Sequence, residues 1–281
     1  MITYRELIAN AKKKIDLVEL EHRAIYEFLM DILSCDRAKL IMIEEDEVSE
    51  EVLDKFSEML ADYIFDYKPI EYILGYTYFC GNKIYVDENT LIPRNETEEV
   101  VEEAIKVINE HKFNKVLDLA SGSGAIAISV KNVLPHIDVK GSDISRGALT
   151  IAKRNANSVG VKVDFIESDV LEYFITNNEK FDMIISNPPY VSLDYVLPNK
   201  IIEHEPKLAL YAKDNGLFYY KKIMEDANKV LNPKGVIVFE IGYDQGQAIQ
   251  NLAKEVLKDY SIEVKKDISN NDRIVVIKFN V

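Results

Sequence analysis

The chain has 281 residues, 47 % of them hydrophobic, and no apolar run approaches the roughly 18 residues of a membrane-spanning helix. Its 34 basic and 48 acidic side chains give a formal charge of −14, and the longest basic run is Lys12 to Lys14; such a surface repels a polyphosphate backbone and disfavours duplex DNA as the natural substrate. Cys35 and Cys80 lie far apart, the four histidines (His22, His111, His136, His204) show no metal-ligand spacing, and the charged start lacks a signal-peptide core, so the expectation is a cytoplasmic protein without disulfides or a bound metal.

Thr3 with Glu6 forms a capping box ahead of Leu7, Ile8 and Ala11. Asp16 with Glu19 is expected to open a second helix carrying Leu17, Leu20, Ala24, Phe28 and Ile32 along one side. Asp36 and Ser49 suit the caps of a third and a fourth, the latter with Val52, Phe56, Leu60 and Ile64 every four residues. Pro69 fits the first turn of a last short helix, which Gly75 closes. Residues 1–75 therefore read as a small all-helical domain, with the acidic segment Glu44 to Glu51 as an exposed connection.

From Tyr76 the period becomes two, with Tyr76 and Tyr78 on one arm and Ile84 and Val86 on the other, around Gly81-Asn82. Residues 76–94 are thus a β-hairpin linker. Asn95 is expected to cap the next helix with Glu98 at the reciprocal position, which leaves Arg94 unexplained. Residues 95–281 then alternate strand (115–119), helix from Gly124, strand (138–143), helix from Ser145, strands (162–167 and 181–186), helix (216–231), strand (236–241), helix from Gln245 and strands (261–268 and 273–279). This is an α/β order, a Rossmann-like parallel sheet covered on both faces that binds ligands at the carboxyl ends of its strands. The last two strands, joined by Asn270-Asn271-Asp272, should pair antiparallel.

The first strand of that sheet ends at Asp118-Leu119 and enters Ala120-Ser121-Gly122-Ser123-Gly124, where glycines let a ligand approach a helix N-terminus. Gly122, Gly124 and Ala127 also satisfy the dinucleotide fingerprint, with Asp143 at about the ribose-reading distance, so a nicotinamide dehydrogenase enters the comparison. Three features favour S-adenosylmethionine instead. Asp118 can receive the amino group of an amino-acid tail, where it would crowd a pyrophosphate; Asp143 can accept both ribose hydroxyls; Asp169-Val170 can bracket an adenine. Each aspartate alone is equally well a cap or turn residue.

The fourth strand stops at Asn187-Pro188-Pro189-Tyr190. Two prolines cannot donate to a ladder, so a stiff loop follows. The Asn187 side-chain carbonyl and the Pro188 main-chain carbonyl can take both hydrogens of a planar NH2 group, and Tyr190 offers a flat face to the same group. The plainer reading is a strand-to-loop corner of ordinary turn residues; suitable groups at four successive strand ends argue against it.

On these residues the chain resembles the protein-(glutamine-N5) methyltransferases of the HemK/PrmC type, which modify the glutamine of the Gly-Gly-Gln motif in peptide chain release factors. The likeness runs through Pro69 to Gly75, Leu91 to Glu98, Asp118 to Gly124, Asn187 to Tyr190, Glu205-Pro206 with Ala209-Leu210, and Asn271 to Arg273. It implies a class I S-adenosylmethionine-dependent methyltransferase, with release factors as protein partner, S-adenosylhomocysteine as product, and no membrane or nucleic-acid substrate. It places the cofactor on Ala120 to Gly124 and Asp143, and the glutamine on Asn187, Pro188 and Tyr190. Pro189, Leu91 and Ile92 are expected in the pocket walls; Glu205-Pro206 is a further candidate to line that pocket from the loop above, although a loop acid before proline is ordinarily only solvated. The resemblance also implies that the helical domain grips the release factor away from the reacting amide.

Two positions depart from the family pattern. Ala120 replaces a glycine, which predicts a negative φ there, and Asn95 replaces a proline. An amide nitrogen is a poor nucleophile that no ordinary base deprotonates first, so the expected route is in-line displacement driven by orientation, Asn187 and Pro188 stabilising charge growing on nitrogen. Adenine-N6 methylation of DNA uses the same donors but needs a basic groove. A glutamine methyltransferase acting on a ribosomal protein shares the motifs, and a non-catalytic cofactor-binding protein would leave Asn187 and Pro188 idle.

Overall fold

The computed structural model describes residues 2–195 and 203–280. They divide into two compact units, residues 2–75 together with 203–204, and residues 76–195 together with 205–280.

The first unit is helical: α1 (Tyr4–Asp16), α2 (Arg23–Leu33), α3 (Arg37–Met42), α4 (Glu50–Phe65) and α5 (Ile70–Leu74). The Thr3–Glu6 capping box is present, the Asp36 and Ser49 side chains cap α3 and α4, and α5 runs from Pro69 to a left-handed Gly75. The expected second-helix start is displaced. Asp16 ends α1 and meets His22 Nε2 at 2.7 Å, while Glu19 adopts φ 56, which no helix tolerates, so α2 begins only at Arg23. One apolar face of each longer helix makes the core, with Ile15, Phe28, Leu29 and Phe56 sealed and the Tyr63 ring edge-on to Phe28.

The second unit starts with the hairpin β1 (Tyr76–Phe79) and β2 (Asn82–Tyr85). Its two turn residues are Cys80 (φ 46) and Gly81 (φ 73), one position earlier than expected, because a two-residue turn that matches strand twist needs positive φ at both positions. There follow α6 (Asn95–His111), β3 (Lys115–Leu119), α7 (Ala125–Val133), β4 (Asp138–Asp143), α8 (Arg146–Val159), β5 (Asp164–Glu167), α9 (Glu172–Thr176), β6 (Phe181–Ser186) and the short β7 (Val191–Ser192). After residue 203 come α10 (Lys207–Leu210), β8 (Tyr211–Ala212), α11 (Phe218–Val230), β9 (Leu231–Glu240), α12 (Gly246–Val256), β10 (Tyr260–Lys266) and β11 (Asp272–Phe279).

Seven strands form one sheet in the order β10-β11-β9-β6-β3-β4-β5. The pairs β3–β4, β4–β5, β3–β6 and β6–β9 are parallel, and β11 runs antiparallel to both neighbours, as its short link to β10 requires. From β3 the chain winds outward through β4 and β5, then returns to place β6 on the other side of β3. That reversal splays the connecting loops apart and opens a crevice at the strands' carboxyl ends. Beneath it Leu117, Ile184, Ile237 and Phe239 are fully buried with Tyr220 and Met224 of α11. Among the described residues no helix is long and apolar enough to cross a membrane, and no group of His, Cys, Asp or Glu is arranged to hold a metal ion.

Asn95 does not cap α6. It is the first helical residue, after an extended Arg94, and the Glu98 carboxylate turns away to accept the Cys80 main-chain N–H at 2.6 Å. The hairpin turn needs that acceptor more than the helix start does.

Candidate active site

A cleft lies over the carboxyl ends of β3, β4, β5 and β6. Ala120 and Gly122 form one wall, Asp143 and Asp169-Val170 a second, and Asn187, Pro188 and Pro189 a third, with Leu91 closing the rim. The structure thus brings these nine candidate residues to one cavity, together with Pro206 of the loop above. Ser121, Ser123, Gly124, Ile92, Tyr190 and Asp118 do not reach its wall.

The glycine loop is folded back by left-handed residues at alternate positions: Ala120 (φ 56), Gly122 (φ 52) and Gly124 (φ 79). The negative φ expected at Ala120 is therefore incorrect. The chain must reverse within five residues, and Ala120 takes the glycine conformation at a cost of roughly 1–2 kcal/mol. Ser121 secures the reversal, its N–H donating to the Ser142 carbonyl at 2.9 Å and its hydroxyl to the Asp118 carbonyl at 2.9 Å. A Cβ on Gly124 would stand 2.8 Å from the Phe165 ring, so this position admits no side chain.

Asp143, at the end of β4, accepts the Gly122 N–H through Oδ2 and the Ser145 N–H through Oδ1, each at 2.9 Å. Burial raises its pKa, which those two N–H groups oppose. A carboxylate offers about four lone-pair directions, so capacity remains for a diol. Val170 has φ 50, an uncommon strain for a β-branched residue, and Ser168 Oγ steadies it by donating to its carbonyl at 2.8 Å. Asp169 pairs with Lys222 of α11 at 2.9 Å.

Asp118 lies fully buried under the loop. Its Oδ2 accepts the Ala127 N–H at 3.2 Å, whereas Oδ1 is the one buried side-chain polar atom among the described residues without a partner. Burial pushes its pKa up to about 7.

The Asn187 corner is held from several sides. Ser186 Oγ donates to the Leu119 carbonyl at 2.8 Å, and Gln245 Nε2 to the Tyr190 carbonyl at 3.1 Å. Asn187 Nδ2 points at Thr97 Oγ1, 3.4 Å away, and Thr97 in turn donates to Glu240 Oε2 at 2.6 Å. The carbonyl end of the Asn187 carboxamide is thereby left for the cleft. Tyr190 is largely buried, and burial lifts its hydroxyl to about 12.

Glu205 is not the solvated acid expected of its loop. Only 3 % exposed, it accepts the Ile92 N–H at 3.0 Å and pairs with the Arg94 guanidinium. This accounts for Arg94 and fixes the segment carrying Leu91. Two participants were given no role from the sequence, Thr97, which lies within the segment Leu91 to Glu98, and Glu240. The available signal was a lone carboxylate inside the apolar run Val236 to Ile241, which a central strand does not keep unless it is paired.

Among solved structures, the chain is similar in fold to the hMettl16 catalytic domain in complex with MAT2A 3'UTR hairpin 6, with a TM-score of 0.54 at 12 % identity over 83 % of each chain. It is likewise similar to a methyltransferase complexed with SAH, with a TM-score of 0.53 at 14 % identity over 72 % of this chain and 55 % of that one. Residues 101–207 match the family model of the methyltransferase small domain, and residues 6–75 that of the PrmC N-terminal domain. The donor set agrees: a reversed glycine loop, a strand-end carboxylate with spare lone pairs, and an unpartnered buried carboxylate oxygen below the loop fit an adenosyl group bearing a cationic amino-acid tail. Fold and site together define a class I S-adenosylmethionine-dependent methyltransferase.

The relatives narrow this further. The chain is 35 % identical to the release factor glutamine methyltransferase of Enterococcus faecalis over 97 % of this chain and 98 % of that protein. It is 37 % identical to that of Bacillus subtilis over 91 % and 90 %, and 44 % identical to that of Lactococcus lactis over 75 % and 77 %. It belongs to the release factor glutamine methyltransferase family.

Proposed function

We propose that this protein transfers a methyl group from S-adenosylmethionine to the side-chain amide nitrogen, N5, of the glutamine in the Gly-Gly-Gln motif of peptide chain release factors. The observation that carries the reading is the Asn187 corner, a rigid loop on the cleft wall whose side-chain N–H2 is engaged by Thr97 and whose carbonyl is left to accept. S-adenosylmethionine, when bound, supplies the electrophilic methyl; Asp143, Ala120, Gly122 and Asp169-Val170 would hold it, with the Asp118 carboxylate beneath the loop favouring a cation above.

The chain's own part in the reaction is orientation and electrostatics. Asn187 Oδ1 and the Pro188 carbonyl accept the two N–H groups of the substrate amide, turning its nitrogen outward. As that nitrogen loses its delocalised lone pair it becomes positive, two carbonyl dipoles already aimed at its hydrogens stabilise the charge without reorganising, and one of those protons leaves to solvent after, or as, the methyl arrives, giving the neutral N-methyl amide. Leu91 and the prolines keep water from competing for those carbonyls. Residues 1–75 serve as the grip on the release factor and the 76–94 segment joins that domain to the transfer domain 95–281. The free thiols Cys35 and Cys80 suit a cytoplasmic setting.

The test is incubation of the protein with labelled S-adenosylmethionine and purified release factor, beside a factor with its motif glutamine changed, a ribosomal-protein fraction and DNA. Label must appear on the intact factor and vanish with the glutamine. Label on ribosomal protein or DNA instead overturns the substrate assignment.

A further inference from the structure

We propose that Thr97 and Glu240 are positioning residues that fix which end of the Asn187 carboxamide faces the substrate. This rests on Asn187 being the amide acceptor. A carboxamide is nearly symmetric in shape, and rotation by half a turn about its last bond exchanges an acceptor for a donor pair. A corner turned the wrong way would present N–H2 to the substrate's own N–H2, two donors facing each other, and would repel the group it has to hold. Shape alone therefore does not make this loop selective, and something must break the symmetry.

The break is a directional chain. Glu240, on β9, is 1 % exposed within the otherwise apolar run Val236 to Ile241, and as a carboxylate it can only accept. Thr97, on α6 and 3 % exposed, has a single hydroxyl proton, and the 2.6 Å contact commits that proton to Glu240 Oε2. Toward Asn187, Thr97 is then left with lone pairs, which Nδ2 satisfies at 3.4 Å and Oδ1 would not. The carboxylate thus sets the direction of every hydrogen bond up to the cleft.

Its surroundings keep it ionised or neutral according to pH. Burial lifts Glu240 to about 7, with Glu96 of α6 adding to the rise, while the Thr97 hydroxyl, Arg273 of β11 and Arg94 ahead of α6 favour the charged, accept-only form; burial and that charge in turn raise the hydroxyls of Tyr190 of the corner and Tyr220 of α11. Tyr220 also donates to the Glu240 main-chain carbonyl at 2.8 Å, which pins the strand at that residue. Neither Thr97 nor Glu240 lines the cleft, so both act on the reaction only through Asn187.

The test is a double-mutant cycle on the full chain, with kcat for methyl transfer to release factor and S-adenosylmethionine affinity as readouts. Thr97→Val keeps the shape and removes the hydroxyl; kcat should fall about ten- to a hundredfold, the effect of losing a buried polar partner, with cofactor affinity maintained. Thr97→Ser should recover most of the loss. In an Asn187→Ala background the valine change should cost almost nothing more, since no amide remains to be oriented. Should the valine variant not fold, Thr97→Cys takes its place in the same cycle, a weak thiol standing where the hydroxyl was. An unchanged kcat in Thr97→Val, or an equal fold-loss with and without Asn187, overturns the inference while leaving the proposed function standing. Normal turnover in Asn187→Ala alone removes the amide-acceptor reading, and the inference with it.

Discussion

Replacing Asn187 by alanine separates substrate orientation from everything else the cleft does. The side chain is half-buried at the end of β6, and its bond to Thr97 is long at 3.4 Å, so its loss should cost the fold under about 1 kcal/mol. In the transition state it is one of two preorganised acceptors on the charged nitrogen. Removal of such a partner in an enclosed site costs about 2.7–4 kcal/mol, and access of water to a half-exposed position trims the lower end to about 2. At about 1.36 kcal/mol per decade, kcat should fall roughly 30- to 1000-fold. Single-turnover transfer of labelled methyl to release factor measures this, with calorimetric titration of S-adenosylmethionine and thermal unfolding as controls. Turnover within a few-fold of the parent, in a folded variant that binds cofactor, would refute the reasoning.

Glu205→Ala strands both the Ile92 N–H and Arg94; discounted for the exposure of Arg94, the loss should be about 1–3 kcal/mol, seen as a lower denaturation midpoint and a higher KM for release factor, with cofactor affinity preserved. Gly124→Ala meets the Phe165 ring at φ 79 and should destabilise by about 2–4 kcal/mol from strain and overpacking together, measured by urea unfolding. Asp118, raised from 3.8 to about 7, binds its proton more tightly folded than unfolded; the cost of ionising it therefore grows as pH rises from 3.8 and is complete above about 7. Asp118→Asn should accordingly gain stability over the parent from mildly acid to mildly alkaline buffer, and a constant difference across that range would contradict the assignment.

The strand ends were readable because each pairs an apolar run with an abrupt polar stop. β3, β4 and β6 fall where the sequence places them, and the residues at their ends meet in one cleft since a doubly wound sheet brings successive carboxyl ends together. What the sequence could not disclose is where its lone charges go. Glu98 resembles a capping-box partner yet serves a turn 18 positions away, and Glu205 reaches back 113 positions to Ile92. Such partners are chosen by tertiary proximity, which a local pattern does not encode. Ala120 illustrates the converse: propensity favours a negative φ, and the reversal of the loop overrides it.

The place of β9 in the sheet bears on when the enzyme becomes competent. β6, which carries the corner, has β3 on one flank and β9 on the other, and β9 is itself covered by β11. A nascent polypeptide that has reached Tyr190 already contains the glycine turn, yet its β6 is still an unguarded edge and Thr97 has no carboxylate to address. Competence thus waits on β9, so the corner is made well before the strand that braces it and aims it.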